Sequence, residues 1–113
     1  MTLPQPVMGV FLIDTGASHT MIDSSFVTAL QLQPTGTTQM HTPSTNGTAV
    51  TCNQYDIELT IPSPNGAPFT VPALPVTDAG FAAQGIQGLI GRDVLQRCQL
   101  FYNGVISHYT LCY

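Results

Sequence analysis

Asp14, Thr15 and Gly16 follow directly after an apolar run at residues 7–13. A carboxylate is the group least expected at the end of a buried strand, because an unpaired charge is costly to bury. Gly16 allows a turn that a side chain would hinder, and the hydroxyls of Thr15 and Ser18 can hold the carboxylate or a neighbouring copy of the loop. These residues predict a carboxylate placed for chemistry at the mouth of an all-β core.

The charge balance excludes whole classes of partner. Charged residues make up 7% of the 113 residues, the formal net charge is −4, and Arg92 and Arg97 are the only strong bases. This leaves no electrostatic footprint for nucleic acid or anionic lipid. A surface so poor in charge also lacks the usual protection against association, which favours cover by a second copy.

Length and hydropathy predict one domain, spanning residues 1–113, that does not cross a membrane. No apolar stretch reaches the ~20 residues of a transmembrane helix. Residues 7–13 are too short for a signal peptide and lack its basic flank. The chain is therefore expected either in the cytoplasm or as a product processed from a longer or secreted precursor.

The chain has three cysteines, Cys52, Cys98 and Cys112. They show no metal-ligand spacing, so no metal site is expected. They fit either three reduced thiols or a disulfide between Cys98 and Cys112 across a C-terminal hairpin. The disulfide needs a turn centred on Val105, whereas a two-residue turn at residues 103–104 would place Cys98 opposite Tyr109.

The pattern of apolar residues and turn formers predicts an all-β fold with one or two short helices. Strands are predicted at residues 7–13, 19–22, 37–41, 48–52, 55–61, 69–76, 88–91, 100–102 and 107–113. Residues 7–13 fit a strand covered on both faces, and strict alternation at residues 55–61 fits a half-buried one. Pro72 and Pro75 indicate an edge or interrupted strand. Ser24 is the predicted cap of a helical turn, and residues 92–97 form the best helix candidate.

Three segments, taken together in order and spacing, resemble the retroviral-type aspartic proteases, the retropepsins. Residues 12–18 match the active-site loop of that family, residues 54–59 resemble the strand that leaves its flap, and residues 89–95 match its second signature. The resemblance implies a closed retropepsin-like acid-protease barrel, one lobe per chain, in which Leu89, Ile90 and Gly91 cross beside the Asp14 loop. Gly91 is small enough to permit that close crossing.

The resemblance also implies an aspartic endopeptidase that needs two copies of the chain. Hydrolysis by carboxyl groups takes one ionised group to accept a proton from water and one protonated group to polarise the peptide carbonyl. This chain holds one Asp-Thr-Gly segment, so a two-fold homodimer is expected to supply the second Asp14, with the C-terminal strands as a candidate contact. Asp14 is then the acid and base, Thr15 the bond across the dimer axis, and Gly16 the backbone nearest the dyad. Water is the nucleophile, so no cofactor is expected.

The same resemblance assigns the substrate contacts and the support of the site. A flap is expected at the tip of the hairpin between residues 37 and 52. The residues expected to bind an extended peptide or protein substrate are Ala17, Ser18, His19, Ser44, Thr45, Asn46 and Gly47. Those expected to be structural are Leu89, Ile90, Gly91 and Arg92. Ser18 stands where retroviral enzymes usually carry an Asp that pairs with the helix Arg, so Arg92 is expected to use a backbone carbonyl or Asp93.

Two other functions fit the sequence. One is a catalytically inactive retropepsin-fold module for dimerisation or peptide binding, because a fold alone does not fix a function. The other is an unrelated all-β secreted module with a coincidental Asp turn. Hydrolysis that Asp14→Asn abolishes would separate the protease from the first, and the distance between two Asp14 residues across a dimer would separate it from the second.

Overall fold

A computed structural model describes residues 5–40 and 49–113. Within these residues the chain forms eight strands, two short α-helices and one 3-10 turn. The strands are β1 (Phe11–Ile13), β2 (Met21–Asp23), β3 (Gly36–Met40), β4 (Val50–Ile61), β5 (Phe69–Ala79), β6 (Gly88–Ile90), β7 (Gln99–Asn103) and β8 (His108–Cys112). The helices are α1 (Ser24–Ala29) and α2 (Arg92–Leu95), and the 3-10 turn is Ala82–Gln84. The predicted all-β class is confirmed, and no helix in these two ranges is long and apolar enough to cross a membrane.

Six strands form one sheet in the order β1-β6-β2-β5-β4-β3, and β7 pairs with β8 in a separate hairpin. β1 runs parallel to β6, with Ile13 opposite Ile90, and β6 runs antiparallel to β2. This order brings β1 and β6, which are far apart in the sequence, together at one side of the sheet. Among the described strands β1 and β3 are the two edges of the sheet, so the closed barrel stays a prediction.

The buried apolar core packs on β4 and β5. β4 has the alternation that the sequence predicts, because Tyr55 is buried and Ile57 is half-buried while Asp56 and Glu58 are exposed. The buried members of the core are Ile22, Tyr55, Val71, Leu74, Val76, Ile90 and Val94. Val94 is fully buried, so the short helix α2, which follows β6, is anchored in this core.

β5 contains the interruption predicted for residues 69–76. Its register against β4 shifts so that Pro72 and Ala73 together lie opposite Glu58. A bulge of this kind leaves a residue outside the ladder, where the missing N–H of a proline costs little. β5 is nevertheless not an edge of the sheet, because residues 77–79 pair with β2.

The predictions for β1 and for the cap of α1 are wrong. Residues 7–10 lie outside β1 and are exposed, and Leu12 within β1 is 51% exposed. β1 lies at an edge of the sheet, and the described residues leave one of its apolar sides open. Because both of its sides are apolar, its sequence resembles that of a strand covered on both faces. The cap of α1 is Asp23 and not Ser24, because the Asp23 carboxylate accepts from the Ser25 N–H at 3.0 Å. The Phe81 N–H also donates to Asp23, at 2.8 Å.

The C-terminal hairpin decides between the two cysteine alternatives. Gln99 lies opposite Cys112 and Asn103 lies opposite His108, so the turn consists of residues 104–107. Neither register considered from the sequence is present. The free thiols are Cys52, Cys98 and Cys112.

The end of this hairpin is attached to the turn between β4 and β5. The Tyr113 hydroxyl donates to the Ala67 carbonyl at 3.1 Å. The centroid of its ring lies 5.0 Å from that of Phe69. One aromatic residue thus joins the separate hairpin to the main sheet.

Candidate active site

The Asp14 loop, residues 14–20, begins where β1 ends, and a tight turn orients the carboxylate of Asp14. The Asp14 N–H donates to the Ile90 carbonyl at 2.9 Å, which continues the pairing of β1 with β6 for one residue. The Gly16 N–H donates to Asp14 Oδ1 at 2.9 Å, and the Ala17 N–H donates to the Asp14 carbonyl at 3.2 Å. The carboxylate is half-buried, whereas Thr15 and Gly16 are exposed. A carboxylate in this position is fixed by the backbone and still open to a ligand.

Arg92, the first residue of α2, holds the middle of the loop. Its N–H donates to the Ala17 carbonyl at 2.8 Å, and its guanidinium Nη1 donates to the Thr15 carbonyl at 2.9 Å. Of the two acceptors that the sequence left open for Arg92, the structure shows a backbone carbonyl. A charged donor is therefore bonded to the backbone of Thr15, the residue that follows Asp14.

Gly91 lies directly against the loop. A Cβ at this position would be 2.6 Å from both the carbonyl carbon and the oxygen of His19, and 3.0 Å from the Ala17 oxygen. All three are backbone atoms, so no side-chain rotation could relieve the contact. The position admits only glycine unless the loop moves.

The last residue of the loop, Thr20, is held by Asp93. Thr20 is fully buried, and its N–H donates to Asp93 Oδ2 at 2.9 Å. Its hydroxyl donates to Asp93 Oδ1 at 2.7 Å and accepts from the Gly91 N–H at 3.1 Å. From the sequence, Asp93 is predicted only as a possible partner of Arg92, and no role for Thr20 in the site is predicted. An acid in the first turn of a predicted helix is a known amide acceptor, but no local signal links it to a threonine 73 residues away.

The remaining predicted site residues are distributed as follows. Ser18 and His19 are exposed on the loop, Ala17 and Leu89 are half-buried, and Ile90 is buried. The predicted hairpin is present, with Met40 of β3 opposite Val50 of β4. The flap residues at its tip, Ser44, Thr45, Asn46 and Gly47, lie outside the described residues. In the described part of the chain, no group of three or more His, Cys, Asp or Glu side chains is arranged to hold a metal ion.

The Asp14 loop and residues 90–93, which hold it by hydrogen bonds, both fall within the match to one protein family. A family model described as aspartyl protease matches residues 5–94. The chain belongs to the aspartyl protease family. This family is retropepsin-like, which confirms the resemblance and supports protease function in general. No curated protein matches the chain.

In this aspartyl protease the Asp14 loop borders an apolar cleft of about 500 Å³. One wall is β1 with Thr15, and the other is the C-terminal hairpin, which lies beyond the family match. Tyr102 and Tyr109 on the hairpin wall are 77% and 57% exposed. The lining residues are Phe11, Leu12, Ile13, Thr15, Leu100, Tyr102 and Tyr109. A cleft with this composition exposes apolar surface beside a carboxylate loop.

Proposed function

We propose that the chain is an aspartic-type endopeptidase whose two catalytic carboxyls are the Asp14 residues of a homodimer. The observation that carries the proposal is the half-buried Asp14 carboxylate, held by its own turn in a chain with one Asp-Thr-Gly segment. One ionised Asp14 accepts a proton from water, and the protonated Asp14 of the other copy polarises the peptide carbonyl. Two like carboxyls at hydrogen-bond distance share one proton, which provides both protonation states.

In this proposal residues 1–113 form one lobe of the enzyme, closed as a barrel. Thr15 bonds across the dimer axis, and the backbone of Gly16 lies nearest the reacting peptide. The exposed positions of Ser18 and His19 suit contact with an extended substrate. Residues 44–47 act as a flap over that substrate and supply backbone hydrogen bonds.

The apolar cleft supports a dimer. Two Asp14 residues can meet only if the surface around Thr15 lies on the two-fold axis. The apolar side chains next to Thr15, such as Leu12 and Tyr102, are then covered by the second copy. Residues 99–113 contain no Asp, Glu, Lys or Arg, so the hairpin brings no carboxylate, ammonium or guanidinium group that such an interface would have to desolvate.

Mixed dimers test the proposal. The wild type should cleave an unfolded protein at about pH 5 and be blocked by a pepstatin-like dyad inhibitor, and Asp14→Asn should be inactive. When equal amounts of wild type and Asp14→Asn are mixed and reassembled, activity should be about one quarter of that of the same total amount of wild type, because only wild-type pairs hold two carboxyls. Asp56→Asn, which removes an exposed carboxylate on β4, is the matched control and should leave activity unchanged.

Activity of about one half in the mixture would mean that each chain acts alone. A folded dimer that hydrolyses nothing would instead favour the inactive dimerisation or peptide-binding module.

A further inference from the structure

The Asp14 loop is bound at both ends to one short segment, residues 90–94. At its start the Asp14 N–H donates to the Ile90 carbonyl, and at its end Thr20 makes three hydrogen bonds to Asp93 and Gly91. With the two bonds from Arg92, six hydrogen bonds join the loop to this segment. Thr20 makes three of these six hydrogen bonds.

Thr20 is buried and Asp93 is half-buried, and every polar atom of the pair is satisfied only when Asp93 is an acceptor. Asp93 Oδ1 accepts from the Thr20 hydroxyl and from the Val94 N–H at 2.9 Å, and Oδ2 accepts from the Thr20 N–H. The Thr20 hydroxyl has one proton to donate, which goes to Asp93, and it accepts from Gly91. An amide in place of the carboxylate would turn an N–H group towards one of these donors.

We propose that Asp93 is a positioning residue, which acts through Thr20 to hold the Asp14 loop in its reactive geometry. The inference rests on the proposed function, since it concerns the same carboxylate. Among the described residues, the side chain of Asp93 accepts hydrogen bonds from Thr20 and Val94, and none from Asp14 or from residues 17–19. Its effect is on the end of a seven-residue loop whose other end carries Asp14, so release of Thr20 allows the loop to move relative to β6.

The expected effect is a loss of turnover that is larger than the loss of substrate binding. A misplacement of about 1 Å in a catalytic group costs on the order of 100-fold in rate. Asp93→Asn and Thr20→Val should each lower kcat by about 10- to 100-fold. KM should change by a smaller factor, because only the proposed substrate contacts on the loop, at residues 17–19, move with it. Thr20→Ser keeps the hydroxyl and both of its hydrogen bonds, and should stay within about 3-fold of the wild-type kcat.

Asp23→Asn is the matched control for a purely structural role. Asp23 is a buried carboxylate that, like Asp93, accepts hydrogen bonds from backbone N–H groups. Its donors are Ser25 and Phe81, and neither lies in the Asp14 loop. Kinetics are measured at a protein concentration where sedimentation shows a dimer and at a temperature where every variant is folded. Under those conditions Asp23→Asn should keep the wild-type kcat.

Amide hydrogen exchange supplies a readout that does not depend on activity. The Asp14 and Ala17 amides should exchange faster in Asp93→Asn and Thr20→Val than in Asp23→Asn, because the loop that carries them is no longer held against β6. Equal kcat and equal exchange in Asp93→Asn and Asp23→Asn would overturn the positioning role. A wild type that cleaves no peptide would overturn the proposed function, and the exchange rates would still decide whether Asp93 fixes the loop.

Discussion

Gly91→Ala should damage both the stability of the protein and the geometry of the Asp14 loop. The added Cβ would lie 2.6 Å from the carbonyl carbon and oxygen of His19. Ordinary contact between such atoms begins near 3.5 Å, so the loop backbone must move by roughly 1 Å. The movement pulls against hydrogen bonds of the same segment, from the Gly91 N–H to Thr20 and from the Arg92 N–H to Ala17.

The size of the effect follows from these contacts. Forced overpacking costs about 1–3 kcal/mol, and weakening one or two hydrogen bonds adds about 1 kcal/mol. A total of about 2–4 kcal/mol corresponds to a fall in Tm of about 10–25 °C for a domain of this size. The same 1 Å movement at the loop should lower kcat by on the order of 100-fold.

Calorimetry and steady-state kinetics measure the two effects, and Gly80→Ala is the control. A Cβ added at Gly80 would meet no heavy atom within 4 Å beyond its chain neighbours, and Gly80 has no positive φ, so its substitution should change stability by less than about 1 kcal/mol. A Tm for Gly91→Ala within about 2 °C of the wild type, together with unchanged kcat, would refute the conclusion that only glycine fits this crossing.

Two further perturbations test the contacts around the site. Hydrogen bonds from the Ser25 side chain and from the Phe81 and Ser25 amides hold the pKa of Asp23 below its ordinary value. The ionised carboxylate therefore stabilises the folded protein above about pH 4, and this stabilisation is lost as the pH falls through the folded-state pKa. The urea midpoint of the wild type should therefore fall more steeply over that range than that of Asp23→Asn, and parallel curves would contradict the assignment. Arg92→Lys removes the planar donor to the Thr15 carbonyl and should lower kcat/KM by about 3- to 10-fold. The control is Arg97→Lys, because the exposed Arg97 side chain lies outside the loop contacts. Equal kcat/KM values for the two variants would rule out a role for the Thr15 contact.

The parts of the fold that the sequence predicted are those governed by local pattern. The alternation of β4, the short strand before Gly91 and the helix after it depend on which residues are apolar within a few positions of one another. The Asp14 turn is local as well, since Gly16 and the Asp14 carboxylate are two residues apart.

The parts that the sequence did not predict depend on contacts between distant segments. Asp23 and Ser24 are both good helix caps by residue type. Asp23 is the cap in the structure, and its carboxylate also accepts a hydrogen bond from the Phe81 amide, 58 residues away. Residues 7–13 are apolar enough for a buried strand, but burial depends on a neighbour, and no strand of residues 5–40 or 49–113 pairs with β1 on its outer side. The pairing of Thr20 with Asp93 has no signature within either segment.

The distance in sequence between the two halves of the site has a consequence for the order in which the protein becomes active. The hydrogen bonds that hold the Asp14 loop join residues 73 and 77 positions apart, and β1 itself pairs with β6. Such non-local contacts form slowly, because closing a loop of this length costs conformational entropy before the contacts offset it. During synthesis the carboxylate emerges from the ribosome long before residues 90–94, so a nascent chain carries Asp14 without the support that orients it. The order of the chain therefore delays assembly of the loop until the segment that restrains it has been made.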